Sequence, residues 1–255
     1  MEQQVHRFRN NAKAIAIGNP GWEQAREHNL IDLRVRVAGN DRLEVEGTGF
    51  QFVNLSSCSY LGLHDYPAIL EGAIEALRSA KTMDVPITRV RIRLNLVDEL
   101  EARLSDLFRA PCISSVTASA ATTGVLPLIA SGHLSGGQPP LMIFDKFCHF
   151  SMNLIKPICA DETQVVTAPH NDLNFVEDAC KKHPQVAYVA DGAYSMGGAA
   201  PVRELMELQD RYGLFIFLDD SHSLSVYGER GVGYARSLMG DEMPPRTIIV
   251  GSLCK

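Results

Sequence analysis

Several features that mark particular classes of protein are scarce in this sequence. Its 255 residues include six scattered cysteines without a Cys-x-x-Cys pair, which indicates reduced thiols rather than a disulfide framework or a zinc site. No apolar run approaches the roughly 20 residues of a membrane-spanning helix. The N-terminal residues lack the apolar core of a signal peptide. We therefore expect a cytoplasmic protein without a membrane partner.

Basic runs are also absent. The formal net charge is −6, so a surface for binding nucleic acid is not indicated. Arg89, Arg91 and Arg93 alternate, and on a strand they would share one face, which makes either a small anion site or a solvated edge. The motifs of P-loop nucleotide hydrolases and of serine-hydrolase elbows, Gly-x-x-x-x-Gly-Lys-[Ser/Thr] and Gly-x-Ser-x-Gly, do not occur.

The N-terminal part of the chain differs in pattern from the rest. Residues 2–16 and 20–28 have polar helical patterns, separated by the helix-breaking segment Asn19-Pro20-Gly21. Apolar and polar residues then alternate across 31–54, which predicts a small antiparallel sheet. We expect an N-terminal appendage over residues 1–54 and a main domain over residues 55–255.

From residue 66 onward, helical patterns alternate with short apolar runs. This alternation predicts an α/β fold, in which helices cover both faces of a mostly parallel sheet. The predicted strands are 112–116, 141–144, 164–167, 186–189, 214–218 and 247–250, and the predicted helices are 67–80, 95–108, 122–131, 171–182 and 202–212.

Polar side chains follow several of the predicted strands. Asp145, Asp191, Asp219 and Ser252 all stand where an apolar run ends. Ligands of open parallel sheets bind beyond the carboxyl ends of the strands. The sequence therefore predicts a ligand site at this edge of the sheet.

The last two predicted strands carry the residues that indicate a cofactor. Asp219 and His222 follow one strand, and Lys255 follows the other within Gly251-Ser252-Leu253-Cys254-Lys255. Pyridoxal phosphate (PLP) needs an acid for its ring nitrogen, a donor for its ring oxygen and an amine for its aldehyde. A lysine whose pKa is lowered by burial can be that amine. The alternatives are an acidic strand cap beside a satisfied histidine, and an exposed lysine.

Three further positions are weaker candidates for the same site. His149 could lie against an aromatic cofactor, although a packed or capping histidine is the alternative. The small residues 117–124, which include Ala118 and Ser119, could bring backbone N–H groups to a phosphate at a helix N-terminus, or form an ordinary turn. Ser195 lies in a Gly-rich loop that could reach the same edge.

Taken together, these motifs resemble the α-oxoamine synthases, a family of fold-type-I PLP-dependent enzymes. The most specific match is Asp219-Asp220-Ser221-His222-Ser223 followed by Gly228-Glu229-Arg230-Gly231-Val232-Gly233, which is similar to Asp-Glu-Ala-His-Ser and the Gly-rich segment after it. Further matches are 54–63 with the Asn-Tyr-Leu-Gly-Leu element, Leu100-Glu101, 145–151 with Asp-x-x-x-His-Ala-Ser, 194–201 with Phe-Ser-Met-Asp-Gly-Asp-x-Ala-Pro, and 251–255 with Gly-Thr-Leu-Ser-Lys.

The resemblance implies a role for each matched residue. It implies that Lys255 forms the Schiff base with PLP, and that His149 stacks on the ring and assists proton transfer. Asp219 would pair with the ring nitrogen and His222 with the ring oxygen. The remaining implied cofactor contacts are made by the phosphate-binding residues Ala118, Ser119 and Ser252, and by Ser195. No metal is expected.

The sequence departs from the family pattern at several positions. Val97, Ser59 and Thr122 replace a histidine and two asparagines. These positions bear on substrates more than on the cofactor ring, so the substrates stay open. Members of the family also continue beyond the lysine into a small C-terminal domain, and we expect that the sequence is cut at Lys255.

The implied activity is condensation of an amino acid with an acyl thioester of CoA or a carrier protein, usually with loss of CO₂, to give an α-aminoketone. The family resemblance also implies a homodimer. Three other functions stay open: an aminotransferase of the same fold, a metal-dependent hydrolase using Asp219, Asp220, His222 and His149, and a non-catalytic partner subunit. The last lacks the lysine in known cases, which counts against it here.

Overall fold

A computed structural model describes residues 10–39, 41–83 and 90–255 of the chain. The chain divides into two compact units, Met1–Leu70 and Glu71–Lys255, and each is described by itself. The functional boundary that we place between residues 54 and 55 stays a prediction.

The first unit contains a helix and a small antiparallel sheet. Helix α1 spans Asn10–Glu27, and strands β1 (Val35–Gly39), β2 (Arg42–Val45) and β3 (Gln51–Val53) pair in the order β1-β2-β3. The sheet confirms the prediction for residues 31–54. The predicted break at Asn19-Pro20-Gly21 is wrong, because α1 continues through Pro20. Proline removes one backbone donor but holds a φ that a helix can use. The start of the first predicted helix, residues 2–9, lies outside the described residues.

The second unit is built on a five-stranded parallel sheet of order β5-β4-β6-β7-β8. Helices α4, α5, α6 and α7 join the strands or lead into them, so the predicted α/β architecture is confirmed. The helices are α2 (Pro67–Ala80, which runs across the boundary between the units), α3 (Asn95–Phe108), α4 (Ala118–Ala130), α5 (Phe150–Glu162), α6 (Leu173–Lys182), α7 (Val202–Tyr212) and the single turn α8 (Tyr234–Ser237), and the strands are β4 (Leu141–Asp145), β5 (Val165–Ala168), β6 (Val186–Asp191), β7 (Phe215–Asp219) and β8 (Thr247–Val250).

Alternate residues of the strands pack into two separate cores. On one face, which we call the α4 face, Phe144, Val189 and Phe217 pack with α4 and α5 side chains such as Leu126 and Met152. On the opposite face, the α7 face, a second cluster joins the sheet to α6, α7 and α8: it includes Ile143, Tyr188, Leu218, Val176, Leu205 and Ala235. Because side chains alternate along a strand, each polar residue at a strand end is assigned to one face.

The predicted strand at 112–116 is wrong, because this segment is a loop. The N–H of Cys112 donates to Ser105 Oγ (2.9 Å) and the N–H of Ser114 donates to Glu101 Oε1 (2.7 Å). Side chains of α3 therefore satisfy backbone groups that a neighbouring strand would otherwise bind.

The sequence did not predict helix α5, because Pro157 lies within it. Of the alternating arginines, Arg91 and Arg93 do not lie on a strand, because residues 90–93 form a turn and a coil; Arg89 lies outside the described residues. Within the described part of the chain, no helix combines the length and the apolar composition needed to cross a membrane.

Candidate active site

Strand alternation sorts the four acidic residues at the strand ends into two pairs. Asp191 and Asp219 follow Val189 and Phe217 at a spacing of two, so they belong to the α4 face. Asp145 and Asp220 belong to the α7 face by the same spacing and by their contacts. Asp219 and Asp220 are thus adjacent in sequence but directed to opposite sides of the sheet.

The strand order creates a crevice between β4 and β6. The chain leaves β4 for β5 on one side and returns to β6 on the other, so the connections diverge at these two neighbouring strands. Ligands of open α/β sheets bind at such a switch point. Here the backbone N–H of His149, just after β4, donates to Asp191 Oδ2 at the end of β6, at 2.7 Å. This bond ties the two sides of the crevice together.

His149 is held in one orientation by its role as the N-cap of α5. Its ring Nδ1 accepts the backbone N–H of Ser151 at 3.2 Å and lies 2.9 Å from Ser151 Oγ. With Nδ1 accepting, the neutral ring carries its proton on Nε2. The residue is exposed, beside the switch point.

Asp219, His222 and Lys255 converge at the ends of β7 and β8. Asp219 is 4% exposed and accepts the N–H of Ser221 at 3.1 Å, while Lys255 Nζ lies 3.2 Å from His222 Nε2. A charged lysine can only donate, so Nε2 accepts and the neutral ring of His222 carries its proton on Nδ1. Burial lowers the pKa of His222, and the charge of Lys255 lowers it further.

Asp191 lies beside Asp219 in the register of β6 and β7. Burial raises the pKa of Asp191 to about 7; the N–H of His149 opposes this shift and the charge of Asp219 adds to it. The sequence places Asp191 at the predicted ligand-binding edge but indicates no role for it. Its position at a strand end is visible in the sequence, but its contact with Asp219 depends on β6 being the neighbour of β7.

The N-terminus of α4 lies on the same face of the sheet. Thr117 caps the helix by accepting the N–H of Ala120 at 2.9 Å, and Ala118 packs against the core cluster that contains Val250 of β8. Backbone N–H groups at a helix start favour an anion. Ala118 and Ser119 are therefore placed on the face that also carries Asp191 and Asp219.

Two predicted residues are less closely tied to the others. Ser252 Oγ lies 2.8 Å from Cys254 Sγ, so its hydroxyl interacts within its own turn. Ser195 is exposed in the loop after β6, and among the contacts that the structure describes it has no hydrogen bond to another predicted site residue.

The donor set fits an anionic aromatic aldehyde. It offers an amine, an imidazole and a carboxylate at neighbouring strand ends, with a helix N-terminus on the same face. Within the described ranges no three His, Cys, Asp or Glu residues are grouped to hold an ion. Asp219 and Asp220, which the hydrolase alternative would use together, face opposite sides of the sheet.

Comparisons with known proteins show the family of this chain. The family model for aminotransferase class I and II matches residues 51–255. The 8-amino-7-oxononanoate synthase of Geobacter sulfurreducens is 31% identical over 84% of this chain and 54% of its own length, and that of Mycobacterium bovis is 29% identical over 80% and 51%. The chain thus spans about half the length of these relatives.

Solved structures show the same fold. A serine palmitoyltransferase from S. paucimobilis, solved with a bound PLP–myriocin aldimine, superposes with a TM-score of 0.75 at 19% identity, over 95% of this chain and 60% of that one. The 8-amino-7-oxononanoate synthase of Francisella tularensis has a TM-score of 0.55 at 17% identity, over 71% and 49%. With the family match over four-fifths of the sequence, the chain belongs to the aminotransferase class I and II family, and within it to the α-oxoamine synthases.

Proposed function

We propose that this chain carries the cofactor site of a PLP-dependent enzyme that condenses an amino acid with an acyl thioester to an α-aminoketone. The observation that carries the proposal is the contact between Lys255 Nζ and His222 Nε2 beside Asp219. This places an amine, an imidazole and a carboxylate at adjacent strand ends, as the cofactor requires. The relatives named as 8-amino-7-oxononanoate synthases support the same reaction class.

When bound, PLP would supply an aldehyde for amines and a ring that withdraws electron density from the substrate α-carbon. Lys255 would supply the amine that holds the cofactor and, once displaced by the substrate amine, take the proton from the α-carbon. Asp219 would hold the proton on the ring nitrogen. The N–H of His222 would donate to the ring oxygen.

The other site residues would orient and hold the group. His149, whose ring is fixed by Ser151, would lie against the cofactor face and keep its proton on Nε2. The N–H groups of Ala118 and Ser119 and the hydroxyl of Ser252 would bind the phosphate. Ser195 would lie near the cofactor. The α-carbon of the amino acid would then attack the acyl thioester, with release of the thiol and, in most members of the family, of CO₂.

The cofactor is tested with the full-length protein and its visible spectrum. Absorption of the bound cofactor is expected to disappear on reduction with borohydride, and peptide mapping is expected to find the label on Lys255. Lys255→Ala is expected to abolish the label, whereas Lys146→Ala, an exposed lysine after β4, is expected to keep it. A label on another lysine would overturn the assignment.

The reaction class is tested by product. Release of free thiol from an acyl thioester in the presence of an amino acid supports condensation. Amino transfer to a keto acid without thiol release would support an aminotransferase, which uses the same aspartate and lysine. Measurement of CO₂ separates decarboxylative from simple condensation.

The assembly and the compartment follow from the same proposal. We expect a homodimer in the cytoplasm, as in the family that the chain resembles. Light scattering of the full-length protein tests the first expectation, and cell fractionation tests the second.

A further inference from the structure

A second cluster of polar side chains lies on the α7 face, behind the switch point. Its centre is Asp145, which is fully buried at the end of β4. Its carboxylate accepts four hydrogen bonds, two on each oxygen: the N–H of Phe147 (2.8 Å) and Nδ1 of His170 (2.9 Å) on Oδ1, and the N–H of Asn171 (2.8 Å) and the hydroxyl of Tyr188 (2.9 Å) on Oδ2.

These bonds join two loops at the strand ends. Phe147 belongs to the β4–α5 loop, which ends at His149, and His170 belongs to the β5–α6 loop. A buried carboxylate is destabilised when any of its hydrogen-bond donors is lost. The Asp145 carboxylate therefore holds the two loops together. The N–H of Asn171 reaches the carboxylate with a φ of +53°, a left-handed conformation that asparagine tolerates.

A third loop joins through the neighbours of Asp145. The Asn171 side chain donates to Ala199 O at 3.0 Å and accepts the Tyr194 hydroxyl at 3.3 Å, both from the β6–α7 loop. The His170 ring lies between the rings of Phe147 and Tyr194, with centroid distances of 4.7 and 4.6 Å. His170 thus contacts the loops on both sides of the switch point.

The tautomer of His170 follows from its partners. Asp145 can only accept when ionised, so Nδ1 carries the proton, and Nε2 of the neutral ring is an acceptor that lies 3.4 Å from the Asn171 amide nitrogen. This is the reverse of His149, in which Nδ1 accepts.

We propose that His170 is a positioning residue, which through Asp145 holds the β4–α5 loop so that His149 keeps its place at the cofactor site. The inference rests on the proposed function for the cofactor, but the geometry of the three loops stands without it. His170 touches neither the cofactor nor the substrate in this role.

Two substitutions separate the hydrogen bond of His170 from its packing. His170→Phe keeps a ring between Phe147 and Tyr194 but removes the donor to Asp145. His170→Asn loses the ring but keeps an N–H donor close to the position of Nδ1. His133→Gln is the matched control, because His133 is exposed in the α4–β4 connection at the other end of the sheet.

In the full-length holoenzyme, His170→Phe is expected to lower kcat by about 10- to 100-fold, by analogy with the loss of a hydrogen-bond partner that orients a metal-binding histidine. The KM for the acyl thioester is expected to stay within a few-fold. The visible circular dichroism of the bound cofactor should fall at unchanged cofactor content, because a displaced His149 would change the orientation of the cofactor. A general loss of folded protein would not change that orientation. His170→Asn and His133→Gln are expected to retain both signals. Equal losses in His170→Phe and His170→Asn would overturn the proposal.

Nitrogen NMR of the histidines tests the positioning role in cofactor-free protein, independently of PLP. The wild type is expected to show His170 protonated on Nδ1, and the His149 signals are expected to shift in His170→Phe but not in His170→Asn. Should His170→Phe not fold, an unprotonated Nδ1 of His170 in the wild type would still overturn the proposal. Failure of the wild type to bind PLP would instead refute the proposed function and leave the NMR result to decide the role of His170.

Discussion

Lys255 Nζ lies 3.2 Å from His222 Nε2, at the ends of two strands that neighbour each other in the sheet. Both groups are cations when protonated, so a positive charge on one disfavours a positive charge on the other. Burial and the lysine charge lower the pKa of His222, while Asp219 opposes them. Burial and the neighbouring amine therefore favour the neutral form of the imidazole.

Replacing Lys255 by methionine is expected to raise the pKa of His222 towards its ordinary value. The substitution removes the charge and keeps a chain of similar length, so burial changes little. Titration of the His222 ring by NMR in cofactor-free protein measures the effect. Lys181→Met, an exposed site on α6, is the control, and an unchanged pKa of His222 in Lys255→Met would contradict the prediction.

The assignment of Asp219 rather than Asp220 to the cofactor is tested by a matched pair of substitutions. Asp219→Asn is expected to lower kcat by about 10²- to 10⁴-fold, the range associated with a positioned acid or base. Asp220→Asn is expected to keep activity within a few-fold, because Asp220 faces the other side and its Oδ2 contact with the N–H of Ala235 can be made by an amide oxygen. Steady-state kinetics of both variants measure the difference, and the reverse ranking would refute the assignment of faces.

Asp191 is expected to make stability depend on pH. Its pKa is raised from 3.8 to about 7 in the folded protein, mainly by burial, so the folded state binds a proton that the unfolded state has already released. Stability is therefore expected to fall as pH rises from about 4 to about 7, and the full cost of ionising Asp191, of order 4 kcal/mol, applies above that window.

Asp191→Asn removes this dependence while keeping an acceptor for the N–H of His149. The variant is expected to be more stable than the wild type at pH above the window and similar to it below. Urea unfolding of cofactor-free protein across the pH window measures the slope. The exposed Asp178→Asn serves as the control, and an equal slope in the wild type and Asp191→Asn would argue against the raised pKa.

A side chain at position 192, where the protein has Gly192, is expected to destabilise the fold. A methyl group there would overlap Asp220 Oδ1 and lie 3.2 Å from the Ala235 side chain. Gly192→Ala should therefore destabilise the protein by about 1–3 kcal/mol, the usual effect of overpacking. Gly72→Ala, in α2 with no atom near the added carbon, should instead stabilise it by about 0.5–1 kcal/mol.

The cause of the Gly192 effect can be isolated. Adding Asp220→Ala to Gly192→Ala removes the overlapping oxygen, so the double variant is expected to lose less stability than the sum of the two single variants. Thermal or urea unfolding of all three completes the cycle. Strict additivity would show that the overlap with Asp220 is not the cause.

The sequence allowed the prediction of features that depend on local pattern. Five of the six strands predicted from apolar runs in the main domain are present, and Asp219 and Lys255 were predicted as site residues from their positions after two of these runs. The loop at 112–116 was mistaken for a strand because its N–H groups bind Glu101 and Ser105 of α3, and such tertiary partners leave no local pattern.

Other features depend on strand order, which the local pattern does not contain. Asp191 gains its role because β6 lies between β4 and β7, so its carboxylate meets both the His149 loop and Asp219. His170 went unnoticed because its partner Asp145 is 25 residues away and on another strand connection. Helix α5 was missed because Pro157 interrupts a pattern that the His149 cap nevertheless begins.

The opposite orientations of Asp219 and Asp220 have a consequence for how this sequence can change. Deleting or inserting one residue in the middle of β7 would turn Asp219 away from the crevice and bring its neighbour towards it, since orientation repeats every two residues. A change of two residues would preserve the orientation. Insertions or deletions that keep the site intact are therefore expected in multiples of two residues within this strand. In the loops before it, any number of residues can change.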